Sequence, residues 1–513
     1  MSLTSIGFIG FLVCCLTVYY LVPKKYQWLV LLVFSYGFYM SGGLKTVCYI
    51  LFTTATTYAA GMALGKLNAR RTTLSPEERK TEGQRIKSRK QAVVICVCVI
   101  NFGLLFAMKY WNDVASLLHL PKLSLLMPLG LSFYIFQSVG YVVDCYRGKY
   151  APERNPLRFA LFVSFFPQLI QGPISRFDQL APQLTAQRSF NADSVKYGIQ
   201  LMMWGYFKKL IIADRAGVIV DTVFADYGQY GGVVIAFAVM CYAIQLYGDF
   251  SGGIDIARGA AQTLGIEMAQ NFQRPLFAQS LAEYWRRWHI SLGNWMRDYV
   301  FYSLTLSRPL VNLGKYTRKR IGGKLGKVIP TSVATFVVYF IIGIWHGANL
   351  RYIFFGFWNG AIITASLLLA GPYHTMRTKL GIAEDAWWWK AFRTVRTWFL
   401  VFLGRYITRA PRLITAFSMM WATVSRPRIS DLWNGRLLTL GLPLYDLLII
   451  AVGCMVMVGV EWHQEKGGSV RAELEKQSFW VQLTVLVISV LLLVLLGVLR
   501  GGYISAEFIY KQF

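Results

Sequence analysis

The chain has 513 residues, 55% of them hydrophobic and 15% charged, with a net charge of +28. A soluble globular chain carries roughly a quarter charged residues, so a water-soluble enzyme is excluded, and apolar runs of about twenty residues, each long enough to cross a hydrocarbon core, recur along nearly the whole length. Short alternating segments of the kind a β-barrel needs are missing, which leaves an all-α polytopic membrane protein whose helices satisfy their own backbone hydrogen bonds in lipid.

The 53 basic and 25 acidic residues would suggest a nucleic-acid partner in a soluble chain. Here the basic residues fall in short connections between apolar runs, which is the positive-inside pattern. The charge therefore reads as membrane orientation, with anionic lipid as a second partner, and no nucleic acid is expected. The first apolar run, residues 6–22, meets Lys24 and Lys25 at its far end, which suits a retained span with its N-terminus outside. "PKKY" then lies inside and "SGGLK" outside. A third span leads to "KLNARRTTLSPEERKTEGQRIKSRK", residues 66–90, read as the most basic cytoplasmic loop. Two further spans reach residues 144–158, basic again and inside again.

From residue 157 to 308 the apolar runs are short and broken by Gly, Pro and charge. Such segments survive at membrane depth where they are buried in protein or line a wet cavity, so this stretch is read as the functional core. Regular spans return at residues 328–350, 352–370, around 398–403, at 442–460 and at 479–499, with residues 461–477 as a last cytoplasmic loop. The final span delivers the C-terminus to the outside. No long linker or clear internal repeat divides the chain, so residues 1–513 are read as one integral-membrane domain. The eight cysteines lie mostly within apolar runs with no CxxC or Cys/His metal spacing, and neither a disulfide framework nor a metal is expected.

Two of the five histidines sit in unusual settings: His289 in "YWRRWHISL" and His346 in "FIIGIWHGANL". An ionisable side chain in a strongly apolar helix is costly and points to function; the neutral imidazole costs least there, which suits a base. A structural histidine bonded to a neighbouring helix is the plainer alternative. Trp345 precedes His346, Gly343 and Gly347 leave room for a helix or substrate beside it, and Asn349 lies three residues on along the same face, placed to hold a ring nitrogen. On a continuous helix Trp285 and Arg286 share a face with His289, and the tryptophans also suit an amphipathic interfacial helix. Asp249, Asp255 and Arg258 are charges at membrane depth, with Asp255 and Arg258 spaced to pair. Gln171 opens "QGPISR", a broken helix that lines a cavity or only kinks. No nucleophile elbow or phosphate-binding loop is present, and few carboxylates converge. Acyl transfer to a hydroxyl fits what remains: a histidine takes the proton while a thioester carbonyl accepts the attack.

"NFQRPLFAQSLAEYWRRWHISLGNWMRDYVF" with "WHGANLRYIFFGFWNG", and upstream "YRGKYAPERNPLRFALFVSFFPQLIQGPISRFDQLAPQL" and "YAIQLYGDFSGGIDIARGAAQTLGI", resemble the membrane-bound O-acyltransferase (MBOAT) family. The branch is that of alginate O-acetyltransferase and D-alanyl-lipoteichoic acid transferase. The likeness runs over residues 127–360. It implies a ring of transmembrane helices with re-entrant segments around a central tunnel in the inner membrane. It implies that His346 is the catalytic histidine and His289 its partner. It further implies an acyl thioester donor on the cytoplasmic side, acetyl-CoA or an acyl-carrier protein, and a cell-surface polysaccharide acceptor outside. Gly248, Gly253 and Arg351 depart from what relatives commonly carry. Two readings stay open beside an acetyltransferase: a D-alanyl transferase fed by a small acidic carrier, and a small-anion transporter without chemistry.

The chain ends "FIYKQF" within the tail 500–513. Phe508, Tyr510 and Phe513 suit an aromatic belt at the outer interface. They also suit a tethered carrier: the two phenylalanines dock, and the Tyr510 hydroxyl, deprotonated by His346, takes the acyl group as an ester and passes it to an extracytoplasmic O-acyltransferase partner. The tail resembles the F-x-Y-x-x-F ending of the same branch.

Overall fold

The computed structural model describes residues 1–123, 127–498 and 508. Among them helices are the one regular element, joined by turns and extended segments, and the one bridge of β type joins Phe272 to Trp288. Six helices are long and apolar enough to cross a membrane: Leu44–Thr73, Thr81–Lys109, Gly232–Thr263, Leu325–His346, Leu444–Glu465 and Phe479–Gly497. A seventh candidate, Leu350–Leu368 followed by Ala370–Lys379, bends by 58° at its break. The spans read at 328–350, 352–370, 442–460 and 479–499 recur within a few residues, as expected when the thickness of the hydrocarbon core sets the length of each apolar run. The run 6–22 instead forms a shorter apolar helix, Ile6–Leu21, and the region around 398–403 lies in Trp387–Arg409, a helix too rich in basic residues to qualify by composition.

Two compact units form, Met1–Met202 with Ile254–Gln270, and Met203–Gly253 with Asn271–Phe513. In the first, Phe8, Phe11, Phe34, Phe38 and Phe166 pack ring against ring at centroid distances of 5.2–6.4 Å, mostly tilted or edge-on as the aromatic quadrupole favours. Residues 66–90, read from the sequence as a loop, are helical almost throughout: Val47–Thr73 runs into them and Pro76–Lys109 starts within them. A capping box drives the restart. Glu78 N–H donates to Ser75 Oγ at 3.3 Å and Ser75 N–H to Glu78 Oε2 at 2.8 Å, with Pro76 at the first helical position. That S-P-E-E signal was present in the sequence. Asp255 and Arg258 pair at 3.4 Å, at the spacing that suggested it.

The irregular stretch is irregular in space. Short helices Pro156–Ser164, Phe166–Leu169 and Phe177–Thr185 alternate with extended backbone. In the second unit, the wide helical turn Phe207–Ala213 leads into Asp214–Ala225. It carries Lys209, which is buried between Asp214 at 2.8 Å and Asp249 at 2.6 Å. Arg215 pairs with Asp446 at 2.8 Å, also buried. Buried charges are tolerated when each finds a partner; the Arg215–Asp446 pair joins the helices Asp214–Ala225 and Leu444–Glu465, and Lys209 ties the turn Phe207–Ala213 to Asp249 of Gly232–Thr263.

Candidate active site

The site lies wholly in the second unit. The helix Gly323–His346 stops at His346, where Gly347 breaks the pattern with extended backbone. Asn349 caps the next helix, Leu350–Leu368, its Oδ1 accepting Arg351 N–H at 3.1 Å. The sequence placed Asn349 on one helical face with His346. The break at Gly347 separates them, and Asn349 is exposed and engaged in capping. The two helices return side by side, so the half-buried His346 ring meets its own neighbour Trp345 at 4.7 Å, Tyr352 at 6.2 Å and Phe355 at 6.3 Å between centroids.

Around His289 the sequence pattern of one continuous helix also breaks. Ser280 caps Leu281–Arg287, accepting Glu283 N–H at 3.1 Å. The helix ends at Arg287, Trp288 joins the bridge to Phe272, and His289 takes left-handed backbone at φ 48° before Ile290–Trp295 begins. A non-glycine residue at positive φ is uncommon and held by its surroundings. Asn271 holds this one: its carbonyl accepts Ile290 N–H at 3.0 Å, its Oδ1 accepts Ser291 N–H at 2.9 Å, and the same Oδ1 lies 3.4 Å from His289 Nδ1. An amide oxygen only accepts, so the contact places the ring proton on Nδ1 and leaves the lone pair on Nε2. The ring is buried, with Phe250 edge-on at 4.9 Å and Trp345 at 6.3 Å. Outside the long apolar helices, this burial pushes the imidazole pKa down and keeps His289 neutral.

Trp345 thus stands between the two histidines. Both rings face one cavity of about 320 Å³ with a mainly aromatic and aliphatic wall. Trp285 and Asn359 line it together, the indole Nε1 donating to Asn359 Oδ1 at 2.9 Å, while Asn359 Nδ2 donates to Phe355 O at 2.8 Å. Arg405 also reaches it, buried, donating to Tyr284 Oη at 2.7 Å and lying 5.2 Å from the Trp288 ring. Among the lining residues there is no carboxylate. The two imidazoles are therefore the wall groups that can accept a proton at one ring nitrogen and carry one at the other.

Other sequence candidates fall elsewhere. Arg286 is exposed, and Asp249 is bound to Lys209. Trp288 and Trp295 are buried rather than spread along an interface. Gln171 belongs to the first unit, fully buried, with no hydrogen-bond partner for its amide among the described residues. Tyr510 and Phe513 lie outside the described residues. Phe508 is buried with Lys209 Nζ 4.7 Å from its ring centre, so this ring docks beside the charged cluster of Lys209, Asp214 and Asp249, where the sequence had expected an apolar pocket. Arg287 braces the site from behind, reaching Glu283 at 2.8 Å and Glu465 at 2.9 Å, with Arg274 on the same Glu465 at 2.6 Å.

Asn271, Asn359 and Arg405 went unnoticed in the sequence. Arg405 lies in Trp387–Arg409, which also carries Lys390, Arg393, Arg396 and Arg409, so its charge did not stand out. The two asparagines carry no local signal.

A multi-pass helical membrane protein with two histidines on one carboxylate-free cavity is the class that fold and site define. The model of the membrane-bound O-acyltransferase family, MBOAT, matches residues 31–403. A "Probable alginate O-acetylase AlgI" of Azotobacter vinelandii is 33% identical over 459 residues, 86% of this chain and 82% of its own length. One of the same name from Pseudomonas syringae pv. tomato is 31% identical over 425 residues, 81% and 73%. A teichoic acid D-alanyltransferase of Bacillus subtilis is 28% identical over 283 residues, 53% and 67%. The chain belongs to the membrane-bound O-acyltransferase family, and it is a membrane acyltransferase.

Proposed function

We propose that this acyltransferase moves an acetyl group from a thioester at the cytoplasmic side of the inner membrane to hydroxyls of a polysaccharide outside. The observation that carries the reading is the pair of imidazoles on one apolar cavity. The names of the relatives most extensively matched support acetyl as the acyl group. His346 takes the proton of the attacking hydroxyl as its oxygen bonds to the acyl carbon. The carbon–sulfur bond then breaks and the proton passes to the leaving thiolate. His289, neutral and held by Asn271, works beside it across Trp345. The apolar wall excludes water, which would otherwise hydrolyse the thioester.

Tyr510 is the proposed first acceptor. Burial of Phe508 supports a docked tail, and the tyrosine ester would hand its acetyl to an extracytoplasmic O-acyltransferase. The N-terminus and the tail lie outside and residues 66–90 inside, on the positive-inside pattern. Acetyl-CoA is the first donor to test and an acyl-carrier protein the second.

The test is purified protein in lipid nanodiscs with labelled acetyl-CoA, together with mass spectrometry of surface glycans from cells with and without the gene. Thioester consumption and loss of acetyl esters are expected. D-alanyl esters lost in their place would move the assignment to the other acyl group. Solute flux without thioester consumption would overturn it in favour of a transporter.

A further inference from the structure

The first unit holds a second, larger cavity of about 830 Å³ whose wall is of a different kind. Lys66, Arg71, Lys90, Arg147 and Arg154 line it, and no Asp or Glu does. Lys66 and Arg71 lie in the last turns of Val47–Thr73, Lys90 about four turns into Pro76–Lys109, and Arg147 at the end of Leu131–Arg147. The bland account is that helix C-termini attract cations. Each C-terminus carries about half a negative charge; two of them offset roughly one of the five positive charges. The nearby carboxylate of Asp144 is taken by Lys149 at 3.7 Å and Tyr150 Oη at 3.3 Å. A large positive excess remains inside a concave wall, where the field is focused.

Lys90 sharpens the case. It is 7% exposed, its ammonium 4.9 Å from the Tyr146 ring centre, and among the described residues no carboxylate pairs with it. A cation so withdrawn from water is costly without an anion. The depth indicates which anion. Lys66 and Arg71 lie in the last turns of one candidate membrane span, and Lys90 stands in the next, Thr81–Lys109, where its charged stretch gives way to the apolar run that follows Gln91, so the cavity sits where the apolar runs end, at headgroup level. Met62, Ala69, Ala151 and Pro152 supply apolar wall beside the cations. Basic pockets between the ends of transmembrane helices bind lipid phosphates.

We propose that this cavity binds the phosphates of an anionic lipid headgroup, with a two-phosphate lipid such as cardiolipin filling it better than a one-phosphate lipid. The site is separate in sequence and chemistry from the acyl-transfer cavity, and the inference does not depend on the acyl group assigned to that cavity.

The experiment is native mass spectrometry of the full chain released from nanodiscs containing cardiolipin, phosphatidylglycerol or only phosphatidylcholine. Wild type is compared with Arg71→Gln plus Arg154→Gln, with Lys90→Gln and with Lys90→Arg. Each lost charge lowers retention of the anionic lipid about fivefold, and the double variant about 30-fold. Lys90→Arg retains cardiolipin near the wild-type level, and thioester consumption is unchanged in the double variant, which shows it folded. Cardiolipin held equally by all four proteins overturns the site. So does displacement of the lipid by CoA or pyrophosphate at micromolar concentration, which would reassign the cavity to a soluble phosphate compound.

Discussion

Gly343→Ala tests the geometry that presents His346 to the cavity. Gly343 and Gly356 are where the helices Gly323–His346 and Leu350–Leu368 cross most closely. A methyl at Gly343 would stand 2.6 Å from Tyr352 O and 2.9 Å from Gly356 Cα. A carbon-to-carbonyl contact ordinarily settles near ~3.3 Å, so the helices must part by about 0.7 Å to admit it. These obstacles are backbone atoms, so no side chain can rotate away. Overpacking of this kind costs ~1–3 kcal/mol. His346 lies three residues along one helix, and Tyr352 and Phe355 against its ring lie on the other. Separation therefore moves the imidazole relative to the wall it works against. A displacement near 1 Å costs up to ~10²-fold in rate, and a drop of about 10- to 100-fold in kcat is expected here. The assay is acetyl transfer from labelled acetyl-CoA at saturating donor, with thermal unfolding followed in parallel. Gly459→Ala is the control. Nothing lies within 4 Å of a methyl there, on the exposed side of Leu444–Glu465, and the helix gains ~0.5–1 kcal/mol from replacing glycine. If Gly343→Ala melts and turns over like wild type, the close crossing does not position His346.

His346→Ala should lower transfer by about 10²- to 10⁴-fold with the protein still folded; unchanged surface acylation would end its role as the base. Asn271→Ala leaves the buried Ser291 N–H without the acceptor now 2.9 Å away, at ~1–3 kcal/mol. Through His289 it should lower kcat with little change in donor KM, while Asn271→Asp, which keeps an accepting oxygen, recovers part of the loss. A fall in stability with kcat unchanged would make Asn271 structural alone. Tyr510→Phe should abolish surface acylation while thioester binding persists, and normal acylation would leave the tail as an anchor. Ser88→Cys should resist an impermeant thiol reagent in intact cells; labelling there would invert the orientation of residues 66–90.

The sequence by itself determined the class of protein, most of its long apolar spans and the setting of the two histidines. These are local properties. Lipid thickness sets the length of an apolar run, and a lone imidazole in such a run stands out against its neighbours whatever the rest of the chain does. The capping box at Ser75 was equally local and would have turned the apparent loop at 66–90 into two helices. Only the tertiary structure decided what meets the histidines. Gly347 ends the helix before Asn349 and turns that residue into a cap, while Asn359, ten residues on, returns to the cavity beside Trp285. Asn271 reaches His289 because the bridge from Phe272 to Trp288 draws two chain segments together and forces a left-handed residue between two short helices. Packing between segments far apart in the chain depends on which surfaces fit, and neither hydropathy nor helical period encodes that fit locally. The sequence therefore named both imidazoles and the tryptophans Trp285 and Trp345 beside them, and could not name the Asn271, Asn359 and Arg405 side chains that complete the site.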